Sequence, residues 1–191
     1  MRILLLPLVL LLAACTSAPP TTSARQAPSV PQFSTSAPKP VPARGSVPTA
    51  CGKVLTRQDL DGVVTTVITG RTDVVVGVAL PKIGRTGRVD CYYGIPAGQP
   101  QSAAVLTVGL AGYTDETSAR TRIQETVDAE RDKGTAPQEI QVGADKGFLL
   151  EGPTRTVLAA RGKFTVAITA QPAVVNAEQA AKLADLALTE H

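Results

Sequence analysis

What most constrains this chain is a break in composition near residue 50. Residues 16–49 hold eight prolines (19, 20, 28, 31, 38, 40, 42 and 48), abundant Ser, Thr and Ala, one aromatic residue, Phe33, and no acidic residue. Such a stretch cannot bury enough apolar area to offset its ordering entropy, so it is expected to stay disordered and serve as a tether. As a coil it would reach about 30 Å, and as extended polyproline-type chain about 100 Å. Folding is therefore left to residues 50–191, which suffice for one domain with a sizeable core.

Ahead of the tether, Arg2 precedes an apolar run, Ile3–Ala14, broken only by Pro7. The run is too short to cross a bilayer, which needs roughly 20 residues, and its layout is that of an export signal. Its last residues, Leu12-Ala13-Ala14-Cys15, resemble a bacterial lipobox. That resemblance implies diacylglycerol on the Cys15 thiol, cleavage before Cys15 and acylation of the new amine. Two or more acyl chains hold a membrane stably, at about 0.8 kcal/mol per buried methylene. The expected organisation is a signal peptide over 1–14, a lipidated cysteine and tether over 15–49, and a single domain over 50–191. The domain would be lipid-anchored to the cell membrane on its extracytoplasmic side.

The formal net charge of +3 misleads about partners. Arg2, Arg25, Lys39 and Arg44 all precede residue 50, where no acidic residue stands. Residues 50–191 keep 15 basic against 16 acidic side chains. No nucleic-acid partner is expected of a domain without basic bias. With Cys15 assigned to lipid, Cys51 and Cys91 remain, and outside the membrane a disulfide between them is the default. Closing this loop of about 40 residues would stabilise the fold by ~4 kcal/mol on a chain-entropy model.

Periodicity outlines the elements. Thr56 reads as an N-cap with Asp59 three residues on, and Leu55 and Leu60 stand at the spacing of a hydrophobic staple. The stripe Leu60, Val63, Val64, Val67, Ile68 then predicts a helix ending at Gly70. A second helix, Asp115 to Lys133, carries a thin stripe of Ala119, Ile123 and Val127 and ends at Gly134. A third starts at Asn176, with Gln179 completing its capping box. Alternation predicts strands over 73–80, 88–95, 103–110, 146–151 and 155–161, and a last one through Phe164, Val166 and Ile168. The expected fold is α+β, an antiparallel sheet of about six to seven strands with helices on one face, in the order α-βββ-α-βββ(β)-α. Cys91 falls on the apolar face of its strand and Cys51 just before the first helix, so their bridge would pin that helix to the sheet.

Catalytic signals are scarce. The single histidine is His191, so Ser-His-Asp and Cys-His systems lack an internal imidazole, and zinc hydrolase motifs lack their ligands. Ser102 and Ser118, the only serines of residues 50–191, lie in neither G-x-S-x-G nor S-x-x-K. No catalytic residue, metal site or cofactor is expected. Glu125, Asp128 and Asp132 share a helix face and read as a solvated surface interleaved with Arg122 and Arg131. Carboxylate-based glycan hydrolysis needs no local motif and stays open. For binding, the candidates are Lys82, Arg85 and Arg88 in a basic loop over Pro81–Arg88, together with Tyr92 beyond it.

The chain resembles the small secreted lipoproteins of actinobacteria, a mycobacterial-type family of uncharacterised function. The resemblance is carried by the lipobox at Cys15, the tether, Cys51 followed by Val54-Leu55-Thr56, and Cys91 followed by an aromatic. Two later runs add to it, Val142-Gly143-Ala144-Asp145-Lys146-Gly147 and Arg161-Gly162-Lys163-Phe164. Where such relatives often have tryptophan, Tyr93 stands here. The resemblance implies a disulfide-bonded extracytoplasmic domain with no catalytic residues to transfer. The expected function is a non-enzymatic binding or accessory module of the cell envelope, meeting an envelope protein, lipid or glycan. The alternatives are a carrier of an envelope lipid or glycolipid and a carboxylate-based cell-wall hydrolase.

Overall fold

Among the described residues, alternating strand residues and capped helices build a seven-stranded sheet flanked by three helices. The computed structural model describes residues 43–189. The apolar run, Cys15 and the tether up to residue 42 lie outside the described residues. A 3-10 turn, Cys51–Lys53, leads into α1 (Arg57–Val63), β1 (Arg71–Gly77), β2 (Arg85–Ile95), β3 (Leu106–Tyr113) and α2 (Glu116–Asp132). Then come β4 (Gln138–Val142), β5 (Asp145–Leu150), β6 (Arg155–Arg161), β7 (Phe164–Ala170) and α3 (Ala177–Leu188). The sheet is antiparallel throughout, in the order β1-β2-β3-β7-β6-β5-β4. The α+β class and the antiparallel sheet are as expected. Polar β4, whose Gln-Glu-Ile-Gln-Val run gives only a weak alternation, supplies the strand that periodicity did not place.

The helices divide between the two faces, which corrects the expectation that they share one. Val89, Cys91, Tyr93, Val108, Leu110, Val157, Ala159, Val166 and Ile168 form the main core with Leu60 of α1 and Leu183, Ala184 and Leu188 of α3. The intervening residues Leu158, Ala160 and Ala167 pack instead with Ile123 and Val127 of α2. Neighbours along a strand point to opposite faces, so α2 lies across the sheet from α3. The thin stripe Ala119, Ile123, Val127 is buried. It covers the middle of the second face and leaves the β1–β2 end of that face open.

Two further differences have local causes. Helix α1 stops at Val63, with Val64 already extended, well short of Gly70. Val63-Val64-Thr65-Thr66-Val67-Ile68-Thr69 is nearly all β-branched and loses side-chain freedom in a helix, so Val67 is exposed rather than core. The capping box at its start is present: the Asp59 amide donates to Thr56 Oγ1, and the Thr56 amide donates to Asp59. The folded unit also begins upstream of residue 50. Ala43 bridges Thr189, and Val47 packs against the core beside Gly87 and Gly112. Arg44 is buried and donates from Nε to the Ala187 carbonyl (2.7 Å) and from Nη2 to the Val54 carbonyl (3.1 Å). A cation at the last turn of α3 complements the negative end of the helix dipole.

Candidate binding face

Cys51 and Cys91 form a disulfide, with their Cα atoms 5.5 Å apart. Cys91 is fully buried between Val74 of β1 and Val108 of β3. The Tyr93 hydroxyl donates to the Cys51 carbonyl (3.2 Å), fastening the turn before α1 to β2 a second time. Burial, with the Asp59 charge adding, pushes the Tyr93 phenol far above its usual range. Both features are structural work on the core face, and they set β2 rigidly in register.

Rigid β2 presents its other side chains on the face that α2 leaves open. Register places Asp73, Tyr92, Thr107, Thr169 and Thr156 in one row across β1, β2, β3, β7 and β6. The next row holds Val75, Asp90, Gly109 and Ala167. Tyr92, Thr107, Thr156 and Thr169 are half-buried, and the Thr156 and Thr169 hydroxyls lie 3.1 Å apart. Arg88 donates from Nε and Nη2 to both Asp90 oxygens, each at 2.7 Å. This bidentate bond holds the Arg88 guanidinium more firmly protonated, against the opposing effect of partial burial. Gly109 makes room for the pair: a Cβ there would stand 2.9 Å from Asp90 Oδ1 and 3.6 Å from Arg88 Nη2. The result is a shelf of hydroxyls beside a fixed ion pair, able to hydrogen-bond a polar ligand but carrying no proton-transfer pair.

The four predicted binding residues are not gathered into one patch. Arg88 and Tyr92 share the shelf, with Asp90 between them. Both Arg85 and Arg88 belong to β2 rather than to a loop, and Arg85 turns back to donate to the Val78 carbonyl (3.4 Å). Lys82 is exposed in a 3-10 turn, Pro81–Ile83, beside Thr117, Ser118 and Thr121 of α2. Sequence reasoning missed Asp90, Thr107, Thr156 and Thr169 as companions of Tyr92. Each is the polar position of an alternating strand, but only the β2-β3-β7-β6 order lines them up.

Two of the three α2 carboxylates singled out above are paired with neighbours, Glu125 with Arg122 (3.3 Å) and Asp128 with Arg131 (2.6 Å). No group of three His, Cys, Asp or Glu placed to hold a metal occurs among the described residues. A cleft of about 610 Å³ runs between α1, α3 and β4, where Val63 and Ala181 stand among Gln141, Asn176, Lys182 and Asp185. No protein-family model, curated protein or solved structure matches the chain.

Proposed function

We propose that this chain is an extracytoplasmic lipoprotein, anchored through Cys15, whose domain is a non-enzymatic binding module of the cell envelope. The observation that carries the reading is the Cys51–Cys91 bond. Disulfides persist in oxidising compartments, and this one leaves Cys15 as the only other cysteine, at the end of the apolar run. The open shelf of Tyr92, Thr107, Thr156 and Thr169 beside Arg88–Asp90 is the binding surface in this reading. Its hydroxyls and fixed charges suit a polar, hydroxyl-rich envelope ligand such as a glycan. Lipid carriage draws little support from the 610 Å³ cleft, which is open to solvent rather than enclosed and has Glu178, Lys182 and Asp185 in its wall.

The test compares the full chain with its Cys15→Ser and Tyr92→Ala variants in an actinobacterial host. Cys15→Ser is expected to move the protein from the membrane to the soluble fraction. Tyr92→Ala is expected to keep membrane attachment and thermal stability but to lose retention on isolated cell-wall glycan. Membrane attachment unchanged by Cys15→Ser would sink the anchoring reading. Turnover of glycan or ester substrates by the purified chain would sink the non-enzymatic one.

A further inference from the structure

The two edges of the sheet are treated differently. The β4 edge is short and polar, and its Glu139 is paired to Lys146 of β5 at 2.6 Å. The β1 edge carries Val74, Val75 and Val76, exposed by 45%, 41% and 52%, and continues into Val78 and Leu80, also exposed. Apart from Val67, these are all the exposed large apolar residues among the described residues. Neither proline nor lysine guards Arg71–Gly77, and its one register irregularity lies at the start, between Arg71 and Asp73. Natural edges of this kind are blunted or covered, because their free amides and carbonyls invite another strand. The Cys51–Cys91 bond beneath Val74 holds this edge in place, so little ordering remains to be done on pairing.

We propose that β1 pairs antiparallel with β1 of a second copy of this chain, about a two-fold axis at Val75, making one continuous sheet. This register sets Val75 against Val75 on the shelf face and Val74 against Val76 on the core face. Each cross-strand contact at the centre is then valine on valine, a pairing that favours sheets. Asp73 of each copy comes opposite Gly77 of the other. Gly77 has no side chain, and its partner across the sheet is Arg88. The carboxylate thus arrives in the same row as a cation, once at each end of the pair. Arg71 comes opposite Ala79, so no like charges meet. A tether segment is a poor occupant. Its prolines cannot donate to a ladder, and its longest proline-free stretch after Pro20, Thr21–Ala27, has no large apolar side chain to meet the valines. A pair of seven-residue strands buries less than the roughly 1,600 Å² of a standard interface, which makes this a transient dimer.

The test is register-specific disulfide trapping of the full chain in membranes under mild oxidation. Directly opposed residues lie about 4.5–5.5 Å apart at Cα, within disulfide reach, whereas diagonal ones at roughly 7–8 Å are not. Val75→Cys is expected to yield a covalent dimer, as is a mixture of Val74→Cys and Val76→Cys chains. Val74→Cys alone and the opposite-edge control Ile140→Cys are expected to stay monomeric. Mass mapping of the intact Cys51–Cys91 bond shows that each variant has folded. The Val75→Lys change, with its own fold checked the same way, is expected to weaken association at least about tenfold, since like charges directly opposed disfavour pairing. Trapping at 74 alone, trapping of Val75→Cys only to a different protein, or monomers in every variant would each overturn the proposal. Mapping which two cysteines are joined separates the strand contact from any link through an unlipidated Cys15, so failure of the strand contact leaves the anchoring reading standing.

Discussion

Arg161 ties three elements together from a buried position at the end of β6. It donates from Nε to Asp145 at the start of β5 (2.6 Å), from Nη2 to Asp185 of α3 (2.8 Å) and from Nη1 to Thr189 Oγ1 (3.0 Å). Burial opposes its charge, and the bonds to Asp185 and Asp145 outweigh that cost and hold the guanidinium protonated. Truncation would take the cation from Asp145 and leave Asp185 only its longer contact with Lys182 (3.8 Å). Arg161→Ala is therefore expected to lower unfolding free energy by about 3–5 kcal/mol in denaturant titrations, and Arg161→Lys to restore only part, lacking the planar fork. Tyr93 gives a pH signature of the opposite kind. Its folded phenol resists ionisation beyond the ordinary value of 10.0, so above that value the unfolded chain gives up a proton that the folded chain keeps. The Tyr93 contribution to stability should be flat below pH 10 and fall as pH rises past it. Tyr93→Phe is expected to lose about 1 kcal/mol at neutral pH with the bond to Cys51, and to soften the alkaline decline. Thermal melts across pH 8–11 check both.

Elements show which signals survive into structure. The capping boxes at Thr56 and Asn176 were legible because they need only neighbours three residues apart, and both are formed. The end of α1 was not legible from its stripe. Val63, Val64, Val67 and Ile68 have helical spacing, yet their β-branching favours extended chain, and Ile68 reaches the core without a helix. The segment 43–49 hid among prolines because its docking depends on one buried residue, Arg44, whose acceptors lie at Val54 and at Ala187. A domain cut to begin at residue 50, as composition suggests, should fold but be weaker than one beginning at residue 39. The expected loss is about 2–3 kcal/mol, from charged-donor bonds and the contact of Val47, read as a lower urea midpoint.

At the scale of the whole molecule, alternation along single strands was enough for the class and for which residues of β2, β3 and β7 are core. It could not place α2, because a thin apolar stripe fits either face of a sheet. It could not assemble the shelf, because Tyr92, Thr107, Thr169 and Thr156 come from strands far apart in the chain and meet only through the β2-β3-β7-β6 order. It also read 73–80 as a strand without showing that this strand is an edge. Strand order depends on long-range packing, which a local period does not encode.

The bridge between Ala43 and Thr189 has a geometric consequence of its own. It brings the start and end of the folded unit together beside the β6–β7 turn, where Ala43 lies against Gly162. The β2–β3 connection, exposed from Pro96 to Pro100, lies at the opposite end of the strands. Joining 43 to 189 and opening the chain within 96–100 would give a circular permutant with the same strand order and the same disulfide. Surface loops of this kind accept such rewiring. A lead attached to the new terminus would suspend the domain upside down, so the orientation in which it is held can be varied independently of its fold.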